Sequence, residues 1–129
     1  MPAYESARFE APAPVASVTL RDPSSRKTVP GVMLLIDSGA DVTLMPESAV
    51  RELDAMNGAN EDFELMAFDG RRTTARAVHL DLLFLGRTFR GRFLLISQEY
   101  GILGRDILNH VPLLLDGPSE SWDEHRPAR

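Results

Sequence analysis

The chain contains no cysteine. That excludes a disulfide framework, a thiolate nucleophile and cysteine-ligated zinc, and it suits a reducing compartment. The N-terminus shows no basic region followed by an apolar run, so no secretory signal is read there. Apolar runs reach only about five residues, against the roughly 20 that a membrane-spanning helix needs. These absences set the expectation of a cytoplasmic protein with no membrane partner. A cationic surplus is also missing. The formal charge is −5, which argues against a nucleic-acid partner because phosphate contacts need a basic face. The histidines, His79, His110 and His125, are scattered without paired spacing, so neither a metal nor a cofactor site is expected. There is no Gly-x-Ser-x-Gly and no Gly-x-x-x-x-Gly-Lys-Ser/Thr, which removes the nucleophile elbow and the phosphate loop.

What is present is one domain's worth of chain, 129 residues with 43% hydrophobic content, enough to bury a core. Residues 1–14, rich in proline and alanine, read as a flexible N-terminal arm. Val15 to Arg21 alternates Ala16, Val18 and Leu20 against Val15, Ser17 and Thr19, the period of a half-buried strand. Asp22-Pro23-Ser24-Ser25 is turn chemistry. Val29 to Ile36 resumes as a strand, with Pro30 and Gly31 marking an edge or a bulge. Leu44-Met45-Pro46-Glu47 reads as the start of a short helix closed at Asn57-Gly58. Phe63 to Ala67 and Thr73 to Val78 flank an Asp69-Gly70 hairpin, and Leu80 to Leu85 with Thr88 to Ile96 flank Gly86-Arg87. Six arginines lie between Arg71 and Arg92; their alternation with core residues reads as solvent-facing sheet positions. A second short helix follows Gly104, Val111 to Leu115 is a last strand, and residues 118–129 read as a polar tail.

The organising stretch is Leu34-Leu35-Ile36-Asp37-Ser38-Gly39-Ala40-Asp41-Val42-Thr43. Aliphatic residues carry a strand through the interior and stop at a carboxylate, which is costly there unless satisfied. Asp37 is either the cap of its own turn or a reactive group. Asp37 and Asp41 are too sparse for a calcium loop, and no base neighbours Ser38 in sequence. A second stretch, Gly101-Ile102-Leu103-Gly104-Arg105-Asp106-Ile107-Leu108-Asn109, bears on that choice only through what the two resemble together.

Together the two stretches resemble the paired signatures of retropepsin-like aspartic proteases, over roughly Val15 to Gly117. The Asp-Ser-Gly-Ala sequence also resembles the retroviral-like domain of eukaryotic ubiquitin-shuttle proteases. The resemblance implies a mostly β, closed-sheet fold with one or two short helices, and an aspartic endopeptidase acting on peptides or unfolded proteins. It implies Asp37 as the catalytic carboxylate and Ser38 as the hydroxyl bonding across a two-fold axis. Gly39 would let substrate backbone approach, with Ala40 and Asp41 lining the cleft. Arg105 would form an ion pair with Asp41. The 67–70 hairpin tip (Ala67, Phe68, Asp69, Gly70) would be the flap over substrate. The family's interface of interleaved termini is also implied, yet no strand pattern follows Gly117 to build it.

One inference needs no resemblance. Carboxylate-driven peptide hydrolysis takes two carboxyl groups in unequal protonation states, and Asp-Ser-Gly occurs once. A protease must therefore be a homodimer sharing one site on its axis. The alternative is a catalytically weak, peptide-binding or assembly domain on the same fold.

Overall fold

The computed structural model describes residues 2–53, 61–66 and 70–127. Its main sheet contains β1 (Val15–Arg21), β2 (Thr28–Ile36), β3 (Leu44–Pro46), β4 (Glu61–Met66), β5 (Arg72–Phe84), β6 (Arg87–Ile96) and β7 (Gly101–Leu103). Two short helices, α1 (Glu47–Glu52) and α2 (Arg105–Leu108), follow β3 and β7. A second, two-stranded sheet joins β8 (Leu113–Asp116) to β9 (Ser121–Glu124).

Alternation builds β1 as expected, with Ala16, Val18 and Leu20 buried. Its antiparallel partner β2 slips register between Val18 and Leu20, opposite Pro30 and Gly31. Gly31 has φ +71° there, a backbone that glycine adopts without a Cβ penalty. Leu85 and Gly86, both with positive φ, close the tight hairpin between β5 and β6.

The sheet closes on itself. Its order is β1-β2-β7-β3-β6-β5-β4, with a further pairing of β1 to β5. β5 is long enough to serve two neighbours on one edge. Residues 72–77 pair with β4, and residues 81–83 pair with β1. The two strands expected at 73–78 and 80–85 are thus a single strand. Val78, Leu80, Leu82 and Phe84 keep one unbroken buried face, so His79 and Leu80 offer no break. Inside lie Leu20, Leu34, Met45, Leu53, Leu80, Leu82 and Leu103, all essentially inaccessible. Each such side chain contributes roughly 1.5–3 kcal/mol by leaving water.

The closing seam is ionic on its other face. Arg21, Asp81 and Arg90 are register partners across β1, β5 and β6. Asp81 is 0% exposed. It accepts from Arg21 Nε at 2.9 Å and from Arg90 Nε and Nη2 at 2.7 and 3.1 Å. The Arg90 hydrogen bond is the main cause holding the Asp81 carboxyl down at about 2. Arginine stems cover a carboxylate that could not otherwise stay dry.

Three expectations need correction. Leu44–Pro46 is strand, and the helix starts at Glu47 with Pro46 as its N-cap; pairing of Leu44 with Ile102 and Leu94 takes those residues into the sheet. The expected helix end at Asn57-Gly58 lies outside the described residues. The C-terminal segment is not a solvated tail, and a strand does follow Gly117: β9 pairs antiparallel with β8, so 113–116 is not the last strand. Trp122 is 3% exposed, packs on Phe84 at 6.0 Å between ring centroids, and donates from Nε1 to the Val15 carbonyl at 3.2 Å. Nor is the N-terminus a free arm. Ala3 bridges Ser121, Glu5 bridges Ala13, Arg8 pairs with Glu99 at 2.6 Å, and Phe9 meets Tyr100 at 5.0 Å.

The Asp81 seam carries a pH signature. Its folded carboxyl sits at about 2 against an ordinary 3.8, so its stabilisation is whole above the ordinary value and is lost as pH falls towards the folded one. Asp81→Asn is expected to lose on the order of 3 kcal/mol at neutral pH. Urea unfolding should show wild type weakening from about pH 4 to about pH 2, with that part of the slope absent in the variant. Identical slopes would contradict the seam's role.

Candidate active site

Asp37 stands where β2 ends. Its N–H still donates to the Leu103 carbonyl at 3.1 Å, so β7 holds the strand straight up to the carboxylate. The chain then folds back, with the Ala40 N–H donating to the Asp37 carbonyl at 3.1 Å. The Gly39 N–H donates to Asp37 Oδ1 at 2.9 Å. A Cβ on Gly39 would lie 3.1 Å from that oxygen, so glycine suits the close approach. Asp37 therefore does cap its own turn, and it is only half-buried. Capping uses one carboxylate oxygen; Oδ2 makes no hydrogen bond among the described residues.

The second sequence stretch supports the turn from behind. Arg105 donates its backbone N–H to the Ala40 carbonyl at 2.9 Å. Its guanidinium Nη1 donates to the Ser38 carbonyl at 2.7 Å. The expected ion pair of Arg105 with Asp41 is not formed. Asp41 is exposed and makes no ion pair among the described residues, while the Ser38 carbonyl takes the guanidinium. The brace is thus cation to main chain, which fixes the turn without a second charge.

A deeper clamp was not legible beforehand. Thr43 is 1% exposed. Its hydroxyl donates to Asp106 Oδ1 at 2.6 Å and accepts the Gly104 N–H at 3.0 Å. Its own N–H donates to Asp106 Oδ2 at 3.1 Å. Gly104 must be glycine, because a Cβ there would run into the Val42 carbonyl. The signal available in sequence was Thr43 itself, a polar residue amid apolar ones that must find partners if buried.

Ser38 is exposed, and its hydroxyl has no partner among the described residues. Ala40 is half-buried with both main-chain groups used by Asp37 and Arg105. Of the expected flap tip, Ala67, Phe68 and Asp69 lie outside the described residues; Gly70 is exposed with φ +83°. Beside the turn, Val42, Thr43, Ala77, Arg92, Leu94 and Asp106 line a cavity of about 200 Å³. Among the described residues no three His, Cys, Asp or Glu side chains converge as a metal site, and no helix is long and apolar enough to cross a membrane.

No family model matches the sequence, and no curated protein matches it. A solved structure does match in fold: EIAV protease complexed with the inhibitor HBY-793. The superposition has a TM-score of 0.57 at 20% identity and covers 82% of this chain and 91% of that one. The fold is retropepsin-like. At this identity the likeness is one of architecture, and it accords with the closed sheet and the two short helices. The retropepsin-like fold sets both sequence stretches at one end of β2 and β7, where Asp37 emerges.

The clamp is testable apart from any activity. Thr43→Val keeps shape but leaves the Gly104 N–H and the Asp106 carboxylate each short of a partner. A loss of about 1–3 kcal/mol in urea unfolding is expected. A Thr43→Val protein as stable as wild type would show that the clamp bears no weight.

Proposed function

We propose that the protein is an aspartic endopeptidase that acts as a homodimer and draws one Asp37 from each subunit. The observation that carries this reading is the Asp37 turn itself. A half-buried carboxylate is held at a strand end by Gly39, Leu103 and Arg105, with one oxygen still unengaged. The retropepsin-like fold supports the assignment, and the single Asp-Ser-Gly sets the stoichiometry.

Two Asp37 carboxyl groups facing across an axis share one proton, because like charges in contact resist joint ionisation. The ionised member takes a proton from a water bound between them, and the water oxygen attacks the peptide carbonyl carbon. The protonated member gives its proton to the carbonyl oxygen. The tetrahedral species then breaks its C–N bond as the amine nitrogen is protonated, releasing an acid and an amine. Ser38 hydroxyls bond between the two turns, and Arg105 holds each turn in shape. The cavity beside Val42 and Thr43 receives a substrate side chain.

Asp37→Asn preserves the turn's shape and removes the base from both subunits. Peptidase activity on denatured casein is expected to fall by roughly 10³-fold or more, with the sedimentation of the protein unchanged. The wild-type rate should rise and fall about a mildly acidic optimum, since the doubly protonated and doubly ionised pairs are both inactive. A purified Asp37→Asn protein that still cut casein at the wild-type rate would end the assignment.

A further inference from the structure

The cavity beside the Asp37 turn does not end there. Arg92 and Asp106, which line it, also line a second cavity of about 400 Å³. That one lies between residues 88–93 of β6 on one side and Asp106, Ile107 and His110 on the other. Its size falls in the range of roughly 300–1,000 Å³ usual for ligand clefts. The two together make a groove that leaves the turn, passes Arg92 and Asp106, and follows β6 towards Thr88.

The wall supplied by β6 is an open strand edge. The two-residue loop at Leu85 and Gly86 makes Phe84 and Arg87 a hydrogen-bonded pair, and bonded and non-bonded pairs alternate from there. Thr88, Arg90 and Arg92 therefore turn their main-chain groups away from β5. On that outer edge β3 pairs only with residues 94–96. No strand pairs with residues 88–93 there among the described residues. Gly91 lies in the middle of this edge. A Cβ on it would meet nothing within 4 Å, and its φ is not positive. Neither crowding nor backbone conformation explains the glycine. A glycine inside a strand often marks the place where another backbone comes close.

Charge decides what fits. The chain carries a formal −5, yet Arg90 and Arg92 wall this groove. Arg90 commits Nε and Nη2 to Asp81, which it shares with Arg21, so the seam is left with one cation in excess. Nη1 of Arg90 has no partner among the described residues. Asp106 is the one carboxylate among the described residues of either cavity wall, and both its oxygens already accept from Thr43. A guanidinium has five N–H donors, so Arg92 can keep its own contacts and still bind a carboxylate.

We propose that the β6 groove binds an acidic stretch of the substrate polypeptide, several residues away from the bond that is cut. This rests on the protease reading above and names what such an enzyme selects. The stretch adds to β6 as a further strand. Main-chain bonds to Thr88, Arg90 and Arg92 supply affinity, and acidic side chains on alternate residues meet the two guanidinium groups. Charge on an open edge ordinarily keeps out strands of like sign; here it selects the opposite sign. A two-fold axis gives the shared site one such groove on each side.

The test uses the full chain and a peptide taken from casein, made in three forms: the core alone, the core with a serine–glycine extension, and the core with a glutamate-rich extension. The acidic extension is expected to raise kcat/KM at least tenfold, through KM, and the gain should vanish at high salt. Gly91→Leu fills the groove where the structure has space. It should erase the gain, with cleavage of the core and circular dichroism unchanged. The absence of native cysteine permits a second measurement, which decides alone if Gly91→Leu fails to fold. On an Asp37→Asn background, Thr88→Cys should form a disulfide with a cysteine in the acidic extension. Ser25→Cys, in the 22–25 turn, should not. Equal kcat/KM for the acidic and neutral extensions overturns the groove and spares the protease reading. So does a gain that survives in folded Gly91→Leu protein, or a Thr88→Cys protein that captures no peptide. Thr88→Cys chains that link only to each other give the edge to a second copy and overturn the proposal. Capture of the peptide at Thr88→Cys, with a wild-type chain that cuts none of the three forms, upholds the groove and sinks the protease reading.

Discussion

A carboxylate at the end of an interior strand has to be held, and the holding is done by main-chain hydrogen bonds. Asp37 is anchored through Leu103, Gly39 and Ala40, and the turn is anchored in turn by Arg105 and by the Thr43–Gly104–Asp106 clamp. These bonds explain why two sequence stretches some 60 residues apart must fold together. Thr43 to Asp106 is a separation of 63. Neither stretch has a stable partner without the other, since a buried unsatisfied polar group costs about 1–3 kcal/mol. Gly104 is part of the same constraint, because any side chain would drive α2 away from the Val42 carbonyl.

The rest of the domain keeps that clamp in register. β5 closes the sheet against β1, and the closure is sealed by Arg21 and Arg90 on a buried Asp81. A carboxyl held at about 2 stays ionised through mildly acidic conditions. Under the proposed activity, the scaffold therefore keeps its ionic seam at the pH where a shared-proton aspartate pair works. The two carboxyl environments differ in kind. Asp81 is enclosed by cations, while Asp37 is half-buried with an oxygen open to a partner.

Much of this was legible in sequence because period and punctuation agreed. The alternation of Ala16, Val18 and Leu20 and the edge or bulge signalled by Pro30 and Gly31 follow from local rules. So does a hairpin expected at Gly86-Arg87 and found one residue earlier at Leu85-Gly86. The turn at Asp37 was legible for the same reason. What was not legible depends on contacts distant in the chain. Trp122 sits in a polar segment with no alternation, and only Phe84 and the Val15 carbonyl make it core. The N-terminal residues look like an arm by composition, yet Glu99, Tyr100 and Ser121 give them partners. Arg105 was placed correctly beside the turn and matched to the wrong group, because sequence names a cation but not the carbonyl it finds. Leu44 and Met45 had helix-like neighbours, and the sheet took them by pairing with β6 and β7.

The central claim is that one chain carries half of a catalytic site. It is tested most directly by mixing wild-type chains with Asp37→Asn chains under conditions that let dimers exchange. At equal amounts, random pairing places about half of the wild-type chains with an inactive partner. Activity per wild-type chain should then fall to roughly half, and keep falling as more variant is added. Activity per wild-type chain that stays constant across the mixing series, with exchange demonstrated, would contradict a shared site.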